Sequence, residues 1–560
     1  MSVEKTSRPA ATFATFFAIS AALAGLAWDP GAPAADPKRF LVMLVAVVAL
    51  AAHHRRAHPP EIAPASLLFV GFVAASALSL CWGRGGGWRD LLTLAGAALL
   101  VVAASQRSRD EAAAIARITA TVLGGAAALW ALAQVMMGAR GLAIHGGQGN
   151  PNWLGLLLAA TLPLSLSAVL RAGCETRGKR LFAMLALAQI PALLLARSRT
   201  AWIALAVAAV AGLADRRLPI RRSVAVGLAL ATGAAVTLIF VGAQFGALRS
   251  LEGRAWIWRI AARAAIDALP WGQGMGAFPR LFLDGQSSAL AALPIGEAGR
   301  RFVNATTAHN EWLQIAMETG APGLALFVAA IGCGIVACRR AGARAEAATL
   351  IAFAVSAIAD SPLRQSGAVI PMALALACAP RTVRLAPRPV LGRVVSPALG
   401  LLAAAALLPI AGSTWLGARL ATAARDADPD RKLALLSRAA AIDPRSGAIA
   451  FALGLAHLER GEPVAALVDL ERSRPLLAQV GNEVAIGNAQ LLAGDAGAAA
   501  AAYDRALRLD PGSFRARVNL VVALRRLGRD ADADLQLRRA RRLWPHHPAL
   551  AEIGDEAPAP

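Results

Sequence analysis

The chain has 560 residues, is 57% hydrophobic and carries a formal charge of +22. Soluble domains are ~45–50% apolar, and apolar runs of ~17–25 residues, the length of a membrane-crossing helix, recur along this chain, which excludes an ordinary soluble globule. The positive charge does not indicate a nucleic-acid binder, because much of the Lys and Arg falls in short loops between apolar runs, as in cytoplasmic loops.

About thirteen spans are predicted, near 10–28, 39–52, 62–82, 90–104, 112–137, 151–170, 181–196, 200–214, 223–247, 310–337, 347–360, 366–380 and 396–417. The first follows Lys5 and Arg8 without a convincing small-residue cleavage site and is expected to be retained. With the N-terminus in the cytoplasm, "HHRRAHPP", "SQRSRDE", "RAGCETRGKR", "DRRLPIRR", "CRRAGARAE" and "RTVRLAPRPVLGR" all lie inside and all are basic. Outer loops such as "DPGAPAADPKR", "MMGARGLAIHGGQGN" and "DSPLRQS" carry less charge. The alternation follows the positive-inside rule, and an odd number of spans sends the C-terminal tail to the outer side. The cysteines (Cys81, Cys174, Cys333, Cys338 and Cys378) precede the tail and read as small buried hydrophobes.

Residues 248–308 form the longest loop before the tail. They lie outside yet hold Arg249, Arg254, Arg259, Arg263, Arg280, Arg300 and Arg301. Long loops translocate largely regardless of charge, and arginine beside the membrane suits an anionic headgroup or a diphosphate. Within the loop, 253–268 read as an amphipathic helix with Trp256, Ile257, Ile260 and Ala264 at helical spacing. Pro270 and the glycines after it end that helix. "GQGMG" follows no predicted strand, which argues against a nucleotide loop.

From about residue 418 the chain becomes Ala-, Leu-, Arg- and Asp-rich with helical periodicity. Asp443-Pro444, Asp510-Pro511 and Trp544-Pro545 close successive helices, and Gly461, Gly494 and Gly528 recur at 33- and 34-residue spacing. About three tetratricopeptide-like repeats are expected between 430 and 548. Such a stack of helix pairs presents a concave face to a partner.

Four features on the outer side combine polar or cationic groups with a helix end. In "TAHNEWLQ", His309, Asn310 and Glu311 open the tenth span. Capping explains polar residues there, and Trp312 then reads as an interfacial anchor. His309 is also a candidate general base. In "LLLARSRTAW", Arg197 and Arg199 stand between two apolar runs, where snorkelling is the plain reading. Arg254 starts the amphipathic helix, and Arg259 and Arg263 share another of its faces. In "GQGNPNWLG", Asn150 and Asn152 flank Pro151 at the start of the sixth span.

The ordered motifs "GNPNW", "SRTAW", "GRAWIW", "PWGQGMGAF" and "AHNEWLQIAMETGAPGLALF" resemble those of the O-antigen ligase and polymerase superfamily, over roughly residues 150–365. These are integral membrane glycosyltransferases acting on undecaprenyl-diphosphate-linked glycans at the periplasmic face. The resemblance is carried most specifically by His309, Asn310, Leu313, Gln314, Glu318, Gly320, Gly323 and Leu324. It implies catalytic roles for His309, Arg254 and Arg199, with Arg197 as the rival of Arg199 for the diphosphate. Arg197, Asn150, Asn152, Arg259, Asn310 and Glu311 are grouped with substrate binding, Asn310 and Glu311 supporting rather than reacting. No cofactor is expected, and no carboxylate cluster suited to magnesium stands in the outer loops.

The expectation is thus an all-α chain. A polytopic membrane domain of about 12–13 spans (1–417) carries a periplasmic loop at 248–308, and a periplasmic α-solenoid of TPR-like repeats follows (418–560). The expected activity is inverting, metal-independent transfer of a glycan from undecaprenyl diphosphate to lipid A-core, in a multi-pass bacterial inner-membrane protein surrounded by membrane lipids. A growing glycan or a protein hydroxyl as acceptor would make it a polymerase or an O-oligosaccharyltransferase. Two rival classes remain at this point. One is a non-catalytic scaffold whose repeats recruit a protein partner. The other is a transporter, for which Arg117 near the start of the fifth span is the ionisable residue to test.

Overall fold

The computed structural model describes residues 7–30, 32–33, 35–53, 62–83, 86–172, 177–213, 246–380, 397–548 and 550. Among them every regular element is a helix. The first group is α1 (Ser7–Leu26), α2 (Ala35–His53), α3 (Pro64–Ser79), α4 (Trp88–Ser105), α5 (Arg109–Met136), α6 (Pro151–Ala172), α7 (Arg177–Ala196) and α8 (Arg199–Leu213). The long loop contributes α9 (Gly246–Asp267), α10 (Phe278–Ala291) and α11 (Ile295–Arg301). The bundle resumes with α12 (Glu311–Arg340), α13 (Arg344–Ala359), α14 (Ser366–Ala377) and α15 (Pro397–Ala423).

Six helices are long and apolar enough to cross a membrane: α4, α5, α6, α7, α12 and α15. The apolar stretches of α1 (Phe13–Leu26), α3, α8 and α14 are shorter. Helix α2 has the length but brings Asp36, Lys38 and Arg39 into its first turns, all buried. The span expected at 223–247 lies, up to residue 245, outside the described residues. One contiguous core runs through the bundle, from Phe17 and Met43 through Phe69 and Leu123 to Phe327 and Leu376. Arg117 pairs with Glu346 of α13 at 3.4 Å, which accounts for its charge inside the bundle.

The loops that charge alternation groups together also meet in space. At one end, Lys38 donates to the carbonyl of Gly147 (2.6 Å), Trp28 stacks on His145, and the backbone of 83–87 packs on Gly274 and Met275. At the opposite end, Arg109 donates to the carbonyls of Cys378 and Ala341.

Helix α12 is broken at Gly320, whose φ of 68° and ψ of −164° suit glycine alone. The segment after α9, "PWGQGMG", fills the break. Ala321 N–H donates to the carbonyl of Pro270 (2.9 Å), Gln273 N–H to that of Met317 (2.8 Å) and Gly274 N–H to that of Glu318 (2.9 Å). Non-helical backbone at membrane depth needs such partners. Gly272, Gly274 and Gly276 all have positive φ, and a Cβ on any of them would overlap backbone of 318–320, 83 or 87. The glycines of "GQGMG" are therefore spent on close backbone packing.

Helix α15 carries the chain through residue 417 without a break and leads into the tail. There α16 (Pro429–Ile442), α17 (Gly447–Glu459), α18 (Pro463–Ser473), α19 (Val480–Leu492), α20 (Ala496–Leu509), α21 (Phe514–Arg526) and α22 (Asp530–Leu543) stack in order. Helix starts recur at 447, 480 and 514, and again at 463, 496 and 530, the spacing of the glycines. Gly461, Gly494 and Gly528 each take positive φ at the turn inside a pair. Asp443, Asp510 and Trp544 are the residues at which α16, α20 and α22 end. The tail is a tetratricopeptide-like solenoid.

The break at Gly320 leaves no room for a side chain, since a Cβ there would stand 2.1 Å from the Pro270 oxygen. Gly320→Ala is expected to lower the melting midpoint of the detergent-solubilised protein by several degrees, whereas Gly332→Ala, with nothing within 4 Å, leaves it unchanged. Thermal unfolding of the purified variants checks this.

Candidate active site

His309 sits just before α12, and its backbone takes φ of 47°. Arg197 (φ 49°) is the only other non-glycine residue with positive φ among the described residues. Such conformations persist only where the surroundings over-determine them, and at His309 they do. Trp258 Nε1 of α9 donates to the His309 carbonyl (3.2 Å), and the Ala308 N–H donates to Gln314 Oε1 (3.0 Å). Asn310 caps α12, its side-chain oxygen accepting from the Leu313 N–H at 3.1 Å. Trp312 is partly buried, its ring packed on Phe327 with 5.1 Å between centroids.

The His309 imidazole is 42% exposed, with Nδ1 4.0 Å from Oδ1 of the buried Asp360. That nitrogen has no hydrogen-bond partner. Burial holds the His309 pKa below its usual value; Asp360 pulls it up and Arg254 pushes it further down. Burial raises the Asp360 pKa, against the Ser361 N–H and the charges of His309 and Arg254. His309, Asp360 and half-buried Arg254 thus form one electrostatic group, with a neutral imidazole near pH 7.

Beneath the group lies an ion cluster. Arg364, 7% exposed, donates from Nη2 to Glu318 Oε2 (2.6 Å), from Nε to Glu311 Oε1 (3.3 Å), and from Nη1 to Asp90 of α4. The Leu363 N–H occupies the other Glu311 oxygen at 3.0 Å. Gln314 Nε2 donates to Glu318 Oε1 at 3.1 Å, so Gln314 links the cluster to the backbone that carries His309. Glu311 is wholly buried with both oxygens engaged, and its part is to hold the first turn of α12.

Arg199 is the first residue of α8 and is half-buried; Arg197 is exposed at the end of α7, its N–H on the Leu194 carbonyl. Ser198 between them is buried against Gly155 of α6. Helix α8 starts and α13 ends at the His309 face, and they pack through Ala204, Ala208 and Ala352. Neither arginine hydrogen-bonds to His309 or Asp360. Asn150 Oδ1 accepts from the Asn152 N–H (2.8 Å) and its carbonyl from the Leu154 N–H, which is the capping arrangement; Asn152 is exposed. Arg259, exposed on α9, lies five residues beyond Arg254 and so off its face. Among the described residues no three His, Cys, Asp or Glu side chains cluster to hold a metal.

The residues that sequence reasoning missed are Asp360, Arg364, Asp90 and Trp258. The signal for the first two was present in "DSPLRQS", which holds one acid and one base in a short loop between apolar helices.

Residues 182–328 match the family described as O-Antigen ligase. No curated protein matches the chain. Among solved structures, the chain is similar to one from the crystal structure of the APC/C hetero-tetramer Cut9-Hcn1, at 11% identity over 94% of this chain and 84% of that one, with a TM-score of 0.24. A likeness that low carries no argument.

Removing the one cation leaves three carboxylates facing each other under His309. Breaking a buried ion pair costs about 3–5 kcal/mol. Arg364→Met is therefore expected to yield little folded protein, and Arg364→Lys, which keeps a cation among the carboxylates, more of it. Size-exclusion chromatography of the solubilised variants checks this.

Proposed function

We propose that this protein, a multi-pass membrane chain whose residues 182–328 match the O-antigen ligase family, transfers a glycan from a polyprenyl diphosphate to an acceptor hydroxyl at the periplasmic face. The observation that carries the proposal is the His309–Asp360–Arg254 group, set in a strained loop over a buried ion cluster.

The acceptor hydroxyl attacks the anomeric carbon of the donor. The bond from that carbon to the diphosphate oxygen breaks, and the diphosphate leaves with the electron pair. His309 takes the hydroxyl proton. Its Nδ1 faces Asp360, so Nε2 is the nitrogen free to accept. Asp360, 4.0 Å from that nitrogen, stabilises by its charge the imidazolium that forms, acting through His309 as a positioning residue. Arg254 and Arg199 meet the negative charge growing on the diphosphate, each with a planar fork of donors. Arg199 is favoured over Arg197 because it starts a helix and is half-buried, whereas Arg197 is exposed. Attack opposite the leaving group inverts the anomeric centre. Lipid A-core is the favoured acceptor. Asn310 and Glu311 hold the helix that carries the base, and Asn150, Asn152 and Arg259 line the approach at the same face. The N-terminus is cytoplasmic and the repeat domain periplasmic.

A reconstituted assay with a lipid-linked donor and lipid A-core tests the reading. His309→Ala is expected to lower the transfer rate by about 10²–10⁴-fold and Arg254→Ala by about 10²–10³-fold, both folding normally. Undiminished transfer by both would return the chain to the scaffold class.

The pH profile supplies a second check. A base must be unprotonated to act, and the His309 pKa is lowered. The acid limb of kcat therefore falls below pH ~6.5, the usual histidine value. Asp360→Asn removes the charge that raises the His309 pKa, so the limb moves further down while kcat drops.

A further inference from the structure

The repeat domain does not hang free of the membrane section. Ser287 Oγ of α10 donates to the Arg508 carbonyl of α20 at 2.7 Å. Gly299 and Gly512 meet backbone to backbone, and a Cβ on Gly512 would stand 2.3 Å from the Gly299 Cα. The first repeat reaches the start of α4, where Arg445 lies over the Trp88 ring and Arg89 pairs with Asp443 at 3.4 Å. The repeats therefore lie on the His309 face.

Between α10 and helices α18 to α20 runs an open cleft of about 540 Å³, within the ~300–1,000 Å³ of small-molecule sites. Its walls set charged and amide side chains beside Leu283, Leu477 and Leu509. Glu483, 8% exposed, accepts from Arg474 Nε (2.7 Å) and Arg505 Nε (2.8 Å), fixing two guanidiniums that keep further N–H donors. Arg280 and Asp284 face them from α10, and Gln479 adds an amide. Four arginines stand against three carboxylates in the lining, so the cleft is close to neutral. Fixed donors and acceptors in near balance suit hydroxyl groups better than a polyanion, which would need uncompensated cations.

The cleft is also tied to the candidate reaction centre. Phe278 and Phe282 of α10 pack on Ile257 and Ile260 of α9, the helix that bears Arg254 and Trp258. A sugar chain whose diphosphate end lies at Arg254 has to leave across this outer face.

We infer that the cleft between the outer loop and the repeat domain is a glycan-binding site. It holds the hydroxyl-rich sugar chain of the donor away from its diphosphate, and the repeats form one of its walls. The inference rests on the glycosyltransferase reading for the identity of the chain, and the site itself stands on the cleft's own chemistry.

The test uses the full-length protein with two polyprenyl-diphosphate donors, one bearing a single repeating unit and one a long polymer. The Arg280→Ala/Gln479→Ala variant removes wall donors, and Gly512→Val separates the repeats from the loop without touching a repeat core. Both are expected to raise KM for the long donor about tenfold, the loss of one or two hydrogen bonds, and to leave the single-unit donor within about twofold. Lipid-free polymer chains, assayed by equilibrium dialysis, should bind the wild type and lose affinity in both variants by the same factor. Equal effects on the two donors, or unaltered binding of the free chains, would overturn the site, as would loss of a co-purifying protein with long-donor KM unchanged. Intact chain binding by a wild type that transfers nothing would instead sink the glycosyltransferase reading and leave the cleft standing.

Discussion

The buried guanidinium of Arg364 holds together carboxylates from two helices and the loop that it belongs to. Asp90 comes from α4, and Glu311 and Glu318 from the first two turns of α12. Three acids in an apolar bundle cannot remain without a cation among them. Their shared partner fixes the start of α12 relative to α4 and to the 360–365 loop. That loop also places Asp360 beside His309. Positioning of the candidate base thus follows from a buried ion cluster beneath it.

Irregular backbone supplies the rest of the site's rigidity. Inside a bilayer every N–H and C=O needs a partner, and the break at Gly320 exposes several. The segment 270–276 satisfies them, and so anchors the end of α9 in the bundle. Trp258 on the same helix then reaches the His309 carbonyl. The outer loop is held at its membrane end by hydrogen bonds to the helix that His309 precedes, which keeps Arg254 near the imidazole.

The tail continues this arrangement outward. Its entry helix α15 crosses the boundary expected at 417 without interruption, and its repeats contact both the outer loop and the start of α4. A repeat domain packed in this way stands on the same face as His309, and the inferred glycan site would give it a part beyond recruiting other proteins.

The sequence by itself determined what depends on local pattern: apolar runs long enough for a bilayer, basic loops at alternate ends, a 33- to 34-residue helical repeat, and a motif order that resembles one family. It also marked His309 and Arg254, because a polar residue at a membrane helix end and an arginine on an amphipathic helix are visible in short windows. Tertiary structure decided what depends on distant residues meeting. Glu311 opens the motif beside His309, yet its carboxylate is taken up by Arg364, 53 residues away. The sequence argued against a phosphate loop at "GQGMG" but assigned its glycines no role; folding sets Gly272 against the break at Gly320. Asp360 was a single acid in a weakly charged loop until folding brought it to 4.0 Å from the imidazole. Burial and pairing are set by which elements pack together, and no window of sequence contains that information.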